Sequence, residues 1–197
     1  DGLQLRATGQ IEGLGASATF SVTSAEEGLS DHGFHLGRGD TCHADAVHAI
    51  LLWLKQANAD TRLTAVSHRV VHGGIDHLVP ALIDDALVVD LERLVPLAPL
   101  HQPHNLAGIR AARMAFPGAP QIACFDTSFH RNHPFVADTF ALPRSYYDEG
   151  IRRYGFHGLS YEFIARRLRA HDQTLAHGRV IVAHLGNGAS MCAMRDG

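Results

Sequence analysis

The sequence lacks long apolar runs and paired cysteines, and both absences narrow the class of protein. No apolar stretch approaches the ~20 residues that a membrane-spanning helix needs, and the first residues lack the basic-then-apolar pattern of a signal peptide. The chain has three cysteines, Cys42, Cys124 and Cys192, which lie far apart and form no CxxC pair. This usage predicts reduced thiols in a cytoplasmic protein and argues against a disulfide framework.

Two nucleotide-binding signatures are also missing. The sequence has no GxxxxGKS/T, which excludes a P-loop kinase, and no GxGxxG after a predicted strand, which removes the main evidence for a dinucleotide-binding fold. The net charge of -3 gives no general attraction to nucleic acid or to an anionic membrane. Among the fifteen histidines, no HxxxH or HxH pair within one helix or strand also has an acid nearby. A histidine-based metal hydrolase is therefore a weak rival, and no residue is assigned as a certain metal ligand.

The residue pattern in the first part of the chain predicts a small antiparallel sheet, a helix and a buried strand. With 197 residues and 46% hydrophobic composition, the chain can bury the core of one large or two small domains. Residues 3–22 alternate loosely and predict two or three short antiparallel strands, whereas residues 24–39 are polar and glycine-rich, which predicts a loop. Apolar spacing predicts a helix over 41–57, and the apolar run 63–71 predicts a buried strand.

The middle of the chain predicts alternating helices and strands. Residues 84–95 indicate a strand or turn followed by a helix, and the proline-rich segment 97–105 indicates a rigid loop. A helix over 106–116 leads into a short strand at 121–125 that ends at an acid. This progression predicts a right-handed parallel α/β sheet. Residues 128–149 have no regular pattern and predict an irregular passage.

The C-terminal part predicts a basic helix and a hairpin. The helix is expected over 161–170, and strands are expected over 179–185 and 189–194. Between the strands lies Gly186–Asn187–Gly188, and Asn-Gly between two apolar runs is a strong hairpin signal. Such a turn of small residues also lets backbone N–H groups approach phosphates closely.

Several segments bring cationic or polarising side chains to strand ends and rigid turns. Arg69, inside a buried strand, either points its donors into a ligand crevice or pairs with an acid at a sheet edge. Asp126 directly follows a strand, a position that suits metal or water handling and equally suits a cap. His101 lies in the proline-rich loop, and IRRYGFHGLS (151–160) is typical of an anion site or of an exposed turn before a helix. Together these segments are the arrangement expected for phosphoryl transfer between a nucleotide and a small anionic acceptor.

Five motifs then resemble those of the acetate kinase family, in the family's order and at comparable spacings. They are SHRVVHGG (67–74), APLHQPHNLAGI (98–109), FDTSFH (125–130), IRRYGFHG (151–158) and HLGNGAS (184–190). The resemblance covers nearly the whole chain. It implies the actin and sugar-kinase superfamily: an α/β, RNase H-like domain with a mixed sheet, plus the start of a second similar domain.

The resemblance also implies a domain plan and a function. It implies an acid-binding N-terminal α/β domain over 1–127, an interdomain passage over 128–150 and the beginning of a nucleotide-binding domain over 151–197. Members of this family transfer a phosphoryl group in line between ATP and acetate, or a close short-chain acid, with Mg²⁺ as cofactor. The implied partners are the acid and ATP or ADP, in a cytoplasmic homodimer, with no nucleic acid and no membrane.

A role for each site residue follows from the same resemblance. Arg69 would hold the carboxylate or the moving phosphoryl group, Asp126 would orient the reacting groups or the magnesium shell, and His157 would donate to the phosphoryl oxygens. His101 would donate from nearby. The pocket for the acid's methyl group would be lined by Val71, Leu100 and Phe156, and the nucleotide phosphates would be bound by His184, Gly186, Asn187 and Gly188.

Two departures from the family pattern leave alternatives open. The family's Thr-Ser-His after FHG is Leu159-Ser160-Tyr161 here. A histidine expected near the nucleotide phosphates is thus a tyrosine, which donates a hydrogen bond but carries no positive charge. The family's first phosphate loop, its adenosine-binding half, a second active-site arginine and a metal-binding glutamate have no counterpart here. We therefore expect the isolated chain to be inactive or nearly so, and a propionate or butyrate kinase, or a truncated non-catalytic carboxylate-binding member, remain alternatives.

Overall fold

The computed structural model describes residues 5–15, 17–24, 31–35, 41–57 and 63–197. Contacts divide the chain into two compact units, residues 1–66 with 107–119 and residues 67–106 with 120–197. The domain plan expected from the sequence stays a prediction. Within the described residues, no helix combines the length and the apolar character that crossing a membrane requires.

The first unit contains a three-stranded antiparallel sheet and a helix. The strands are β1 (Ala7–Glu12), β2 (Thr19–Ser24) and β3 (Asp31–His35), in that spatial order, and the helix is α1 (His43–Ala57). Phe20 of β2 is buried and meets the ring of Trp53 of α1 edge-on, with ring centroids 6.4 Å apart. The predicted strands and helix are confirmed. The loop predicted over 24–39 is partly wrong because it contains β3, which pairing with β2 stabilises despite its polar composition.

The chain continues through the elements that carry the site. The strands are β4 (Val66–Val70), β5 (Ala81–Leu82), β6 (Gln121–Phe125), β7 (Arg179–Leu185) and β8 (Ala189–Arg195). The helices are α2 (Asp85–Arg93), α3 (Gln102–Ala115), α4 (Phe135–Asp138), α5 (Arg144–Asp148), α6 (Gly158–His171) and α7 (Gln173–Ala176). Short 3-10 turns cover Val95–Leu97 and Ser128–His130.

Strand β6 lies between β4 and β5 in the sheet that supports the site. The Asp126 N–H donates to the Val70 carbonyl at 2.9 Å, so β4 and β6 end side by side at one edge. Strand β5 runs antiparallel to β6. The predicted mixed sheet is therefore confirmed. The wholly parallel sheet expected from the helix–strand progression is wrong, because β5 follows β4 without the crossover helix that parallel strands usually need.

Two boundaries differ from the sequence prediction. Helix α3 begins at Gln102 rather than 106, inside the predicted rigid loop, because Pro103 falls in the first helical turn, where its missing N–H costs nothing. The Gln102 amide is buried and donates to the carbonyls of His72 and Leu91, which fixes the start of the helix. The passage 128–149, expected to be irregular, contains α4 and α5, which are too short to show a helical apolar stripe. The hairpin of β7 and β8 is confirmed.

His72 is a buried histidine at the end of the β4 segment. Its side chain is almost fully enclosed, and its Nδ1 accepts a hydrogen bond from the Gly74 N–H at 2.9 Å. The ring packs edge-on against Tyr154 and Phe156, with centroids 4.4 Å and 5.7 Å away. Burial, assisted by the positive charge of Arg131, lowers the pKa of His72 from 6.5 to about 4. The imidazole is therefore neutral in the folded chain at neutral pH.

We expect His72 to make the chain sensitive to mild acid. Its folded-state pKa is below its unfolded value, so its contribution to stability is complete above pH 6.5 and is lost as the pH falls toward 4. The difference corresponds to at most about 3 kcal/mol. Urea unfolding between pH 8 and pH 4 should show a shallower loss of stability for His72→Asn, whose amide oxygen can still accept from Gly74 but cannot titrate. At pH 8, the difference in the free energy of unfolding between His72→Asn and the unmutated chain gives the packing cost alone. If the two curves of stability against pH ran parallel, they would contradict the assignment of the acid sensitivity to His72.

Gly158 begins α6 under severe steric restriction. A Cβ at this position would lie 2.1 Å from the Asp126 carbonyl oxygen and 2.8 Å from the Phe129 Cβ. The Gly158 N–H donates to that same carbonyl at 3.0 Å. Only glycine allows the start of α6 to approach the end of β6 this closely.

Gly158→Ala should therefore destabilise the chain by about 1–3 kcal/mol, because backbone must move to admit the methyl group. Gly108→Ala is the matched control: a Cβ at this position within α3 meets nothing within 4 Å, and alanine is the better helix former by up to about 1 kcal/mol. Urea denaturation should give opposite signs for the two variants. Equal effects would show that the crowding at Gly158 is not a constraint.

Candidate active site

The candidate site is a pocket of about 790 Å³ in the second unit. It is built by the ends of β4 and β6, the segment before α3, the residues before α6 and the turn between β7 and β8. Most of the site residues predicted from the sequence line it. They are Arg69, Val71, Leu100, His101, Asp126, Phe156, His157, His184, Asn187 and Gly188. Gly186 belongs to the same turn but does not line the pocket.

An ion pair between Arg69 and Asp126 forms one side of the pocket. The Arg69 Nε donates to both carboxylate oxygens at 3.2 Å and 3.0 Å, and Nη2 donates to Oδ2 at 2.7 Å. The Asp126 side chain is 1% exposed, whereas that of Arg69 is 57% exposed. Hydrogen bonding to the carboxylate raises the pKa of Arg69. Asp126 thus holds the Nε and Nη2 edge of the guanidinium, and Arg69, which lines the pocket, keeps further N–H donors for a ligand.

His157 is presented by an unusual backbone conformation. It precedes α6 with φ at 57°, in the left-handed region that non-glycine residues rarely adopt, and its side chain makes no capping hydrogen bond. Instead, Nδ1 lies 2.7 Å from Ser190 Oγ on β8. A sparsely populated conformation held by surrounding contacts is common at functional sites.

A second imidazole stacks on the first. The rings of His157 and His184 lie 4.1 Å apart between centroids and 16° from parallel, and His184 Nδ1 lies 3.0 Å from Ser160 Oγ. Partial burial, and then the neighbouring His184, lower the pKa of His157. At neutral pH the His157 ring is therefore a neutral hydrogen-bonding group.

The apolar residues that line the pocket include Val71, Leu100 and Phe156. The Val71 N–H donates to Asn105 Oδ1 at 3.0 Å, which ties the residue after β4 to α3. A small apolar surface beside a guanidinium suits a ligand with a short hydrocarbon end and an anionic end.

Two features of the 151–160 segment differ from the expected anion site. Arg152 does not line the pocket: its Nη1 lies 3.9 Å from Asp138 Oδ2, and its guanidinium lies over the Tyr147 ring. Arg153 lies over the ring of Phe140. Neither arginine lines the pocket, and both make structural contacts with a carboxylate or an aromatic ring instead. Tyr161, expected near the nucleotide phosphates, is 1% exposed and does not line the pocket.

Sequence reasoning missed several residues of the site. Asn105 and His104 line the pocket within a motif that the resemblance had already singled out. Ser190 is the last residue of HLGNGAS, yet a serine in a strand of small residues gives no local signal of a catalytic partner. Only the register of β8 brings its hydroxyl to His157.

The described residues do not form a metal site by themselves. No group of three or more histidine, cysteine, aspartate or glutamate side chains within residues 5–197, leaving out the segments not described, is arranged to hold a metal ion. The pocket offers the carboxylate of Asp126, and Arg69 already pairs with both of its oxygens. These residues alone therefore do not fit a resident Mg²⁺.

Comparison with known proteins identifies the family. Residues 8–197 match the model of the Acetokinase family. An acetate kinase of Methylocella silvestris is 60% identical over 155 residues, a match that covers 79% of this chain and 38% of that protein. A propionate kinase from Francisella tularensis has a similar structure, with a TM-score of 0.83 and 31% identity over 98% of this chain and 49% of that chain. The acetate kinase of Porphyromonas gingivalis gives a TM-score of 0.76 and 33% identity over 96% of this chain and 49% of that chain.

These likenesses confirm the predicted α/β fold of the actin and sugar-kinase superfamily. The chain spans less than half the length of each of these relatives. Because the family model covers nearly all of its residues, the chain belongs to the acetokinase family.

Proposed function

We propose that this chain is the acid-binding part, with the beginning of the nucleotide-binding part, of a kinase that transfers a phosphoryl group between ATP and acetate. The observation that carries the proposal is one pocket in which an anchored guanidinium, two stacked imidazoles and a small apolar wall meet. Membership of the acetokinase family supports it. In the reaction, an oxygen of the acetate carboxylate forms a bond to the γ-phosphorus of ATP while the bond to the ADP oxygen breaks.

In this proposal Arg69 binds the acid. Its outer N–H groups donate to the carboxylate or to the moving phosphoryl group, which suits the planar fork of a guanidinium. Asp126 does not need to touch the substrate. Its buried carboxylate orients Arg69 through hydrogen bonds of 2.7–3.2 Å.

Imidazoles and backbone donors stabilise the transferring group. We assign His157 and His101 as donors to the phosphoryl oxygens, where charge builds up in the transition state. His184 and the turn residues Gly186, Asn187 and Gly188 receive the nucleotide phosphates, since small turn residues allow close approach of backbone N–H groups.

The cofactor proposed for the complete kinase is Mg²⁺. It would neutralise phosphate charge, and it is usually held by one or two carboxylates together with substrate phosphates and water. Asp126 alone does not provide such a site, so the roles assigned to the residues of this chain do not depend on the metal. A cytoplasmic location and a homodimeric assembly also remain proposals.

Two alternatives stay within the same site. A propionate or butyrate kinase would use the same donors with a longer acid, and the structural similarity to a propionate kinase favours keeping this option. A non-catalytic member would bind short acids and transfer nothing. The latter predicts a thermal shift with acetate and none with ATP, whereas the kinase proposal predicts that ATP also raises the melting temperature.

Arg69→Ala should weaken the binding of acetyl phosphate about 10- to 100-fold, because a hydrogen bond to a charged group contributes about 1.5–3 kcal/mol. Isothermal titration calorimetry on the folded chain measures the effect. Arg69→Lys keeps the charge and the partner of Asp126 but loses the fork, and it should also bind more weakly. Arg93→Ala is the control, since Arg93 pairs with Asp90 on the surface of α2. Unchanged affinity in both Arg69 variants would refute the assignment of the acid site.

Val71→Ala should shift the preference toward longer acids. Removing part of the apolar wall makes room for one more methylene, which contributes about 0.8 kcal/mol when buried, or about a fourfold change in relative affinity. NMR titrations with acetate and propionate give the ratio of the two dissociation constants. Val89→Ala, on the exposed face of α2, should leave the ratio unchanged. An unchanged ratio in Val71→Ala would mean that the acid's hydrocarbon end lies elsewhere.

A further inference from the structure

Ser190 lies between two hydrogen-bonding partners, and the roles proposed for the pocket residues do not account for these two bonds. Its Oγ is 2.7 Å from His157 Nδ1 on one side and bonded to the Tyr161 hydroxyl on the other. The three side chains come from β8, from the residue before α6 and from the first turn of α6. They form a continuous chain of hydrogen bonds from the core to the pocket.

Burial determines which side chain donates in each of these two hydrogen bonds. Tyr161 is 1% exposed, and within the described part of the chain Ser190 is the one hydrogen-bond partner of its hydroxyl. If His157 donated from Nδ1, one hydroxyl hydrogen would lack an acceptor among the described residues: the phenolic hydrogen if Ser190 donates to Tyr161, or that of Ser190 if its oxygen accepts from both neighbours. In the opposite direction Tyr161 donates to Ser190, Ser190 donates to Nδ1, and every buried donor is satisfied. Buried polar groups in proteins almost always are.

The other ring nitrogen then carries the proton. His157 Nε2 faces the turn between β7 and β8, because a Cβ on Gly188 would lie 3.4 Å from it. The His184 ring covers one face of the imidazole, so the ring has little freedom to turn over. An Nε2–H in this orientation is a donor directed at the place where phosphate oxygens are proposed to lie.

We infer that Tyr161 and Ser190 are positioning residues that hold His157 as its Nε2–H tautomer and so fix a hydrogen-bond donor in the pocket. The inference rests on the proposed function for the meaning of that donor, but not for its existence. It gives the tyrosine at position 161 a role in the core that does not require it to meet a nucleotide.

The test is the tautomer itself, read by ¹⁵N NMR of the chain labelled at histidine, at neutral pH and without ligand. The signals of His157 are assigned by their loss in His157→Gln. We expect a bare Nδ1 and a protonated Nε2 in the unmutated chain, a state that needs no mutation to observe. Tyr161→Phe keeps the ring and removes the donor, and it should shift the tautomer ratio toward Nδ1–H about fivefold, the equivalent of one net hydrogen bond of about 1 kcal/mol.

Matched variants separate positioning from general damage. Ser190→Ala should shift the ratio as well, and Ser190→Thr, which restores a hydroxyl, should return it to the original value. Tyr146→Phe, at a partly exposed position on α5, should leave it unchanged. A protonated Nδ1 in the unmutated chain, or an unchanged ratio in Tyr161→Phe, would overturn the inference. Since no ligand is present, a failure of acetyl phosphate to bind would count against the proposed function and leave the tautomer result intact.

Discussion

The bond between the buried carboxylate of Asp126 and the guanidinium of Arg69 is the constraint on which the site depends. Asp126 follows the central strand β6, its N–H bonds to the carbonyl of Val70, and its own carbonyl accepts from Gly158. One residue therefore sets the ends of two strands and the start of α6. A carboxylate that is 1% exposed needs a partner, because an unpaired buried charge costs several kcal/mol. The orientation of Arg69 is thereby fixed by the core rather than by a ligand.

The same residue explains how His157 comes to face the pocket. Because Gly158 is pressed against the Asp126 carbonyl, the chain has little space in which to enter α6, and the preceding residue takes a left-handed conformation. Asparagine, aspartate or glycine would adopt this conformation more readily. A histidine is held there because contacts on two sides of its ring, the stack with His184 and the bond to Ser190, offset the strain.

The secondary-structure elements that the sequence predicted best are those that depend on residues close together in the chain. Helix α1, strand β6 and the β7–β8 hairpin followed from apolar spacing and from Asn-Gly, which act within a few residues. Strand β3 could not be predicted, since its polar segment is a strand only through pairing with β2. The motifs indicated that Arg69, Asp126 and His157 would meet, but not that Arg69 bonds to Asp126 or that Ser190 bonds to His157. Those pairs join residues 57 and 33 positions apart, and only the assembled sheet brings them together.

Pairing Arg69 with Asp126 also bears on how such a pocket could favour reaction over simple binding. A guanidinium without a counter-charge would bind a carboxylate and its phosphorylated form with similar, high affinity. Such uniform binding does not accelerate the chemical step. Asp126 offsets part of that charge, while the neutral imidazole of His157 adds a directed donor without adding a second full charge. The interaction with the ligand then grows as negative charge develops on the transferring oxygens, because fixed donors in a partly enclosed site respond to that charge without reorganising. On the proposed function, the ion pair limits ground-state affinity, and the oriented imidazole supplies stabilisation where the phosphoryl group moves.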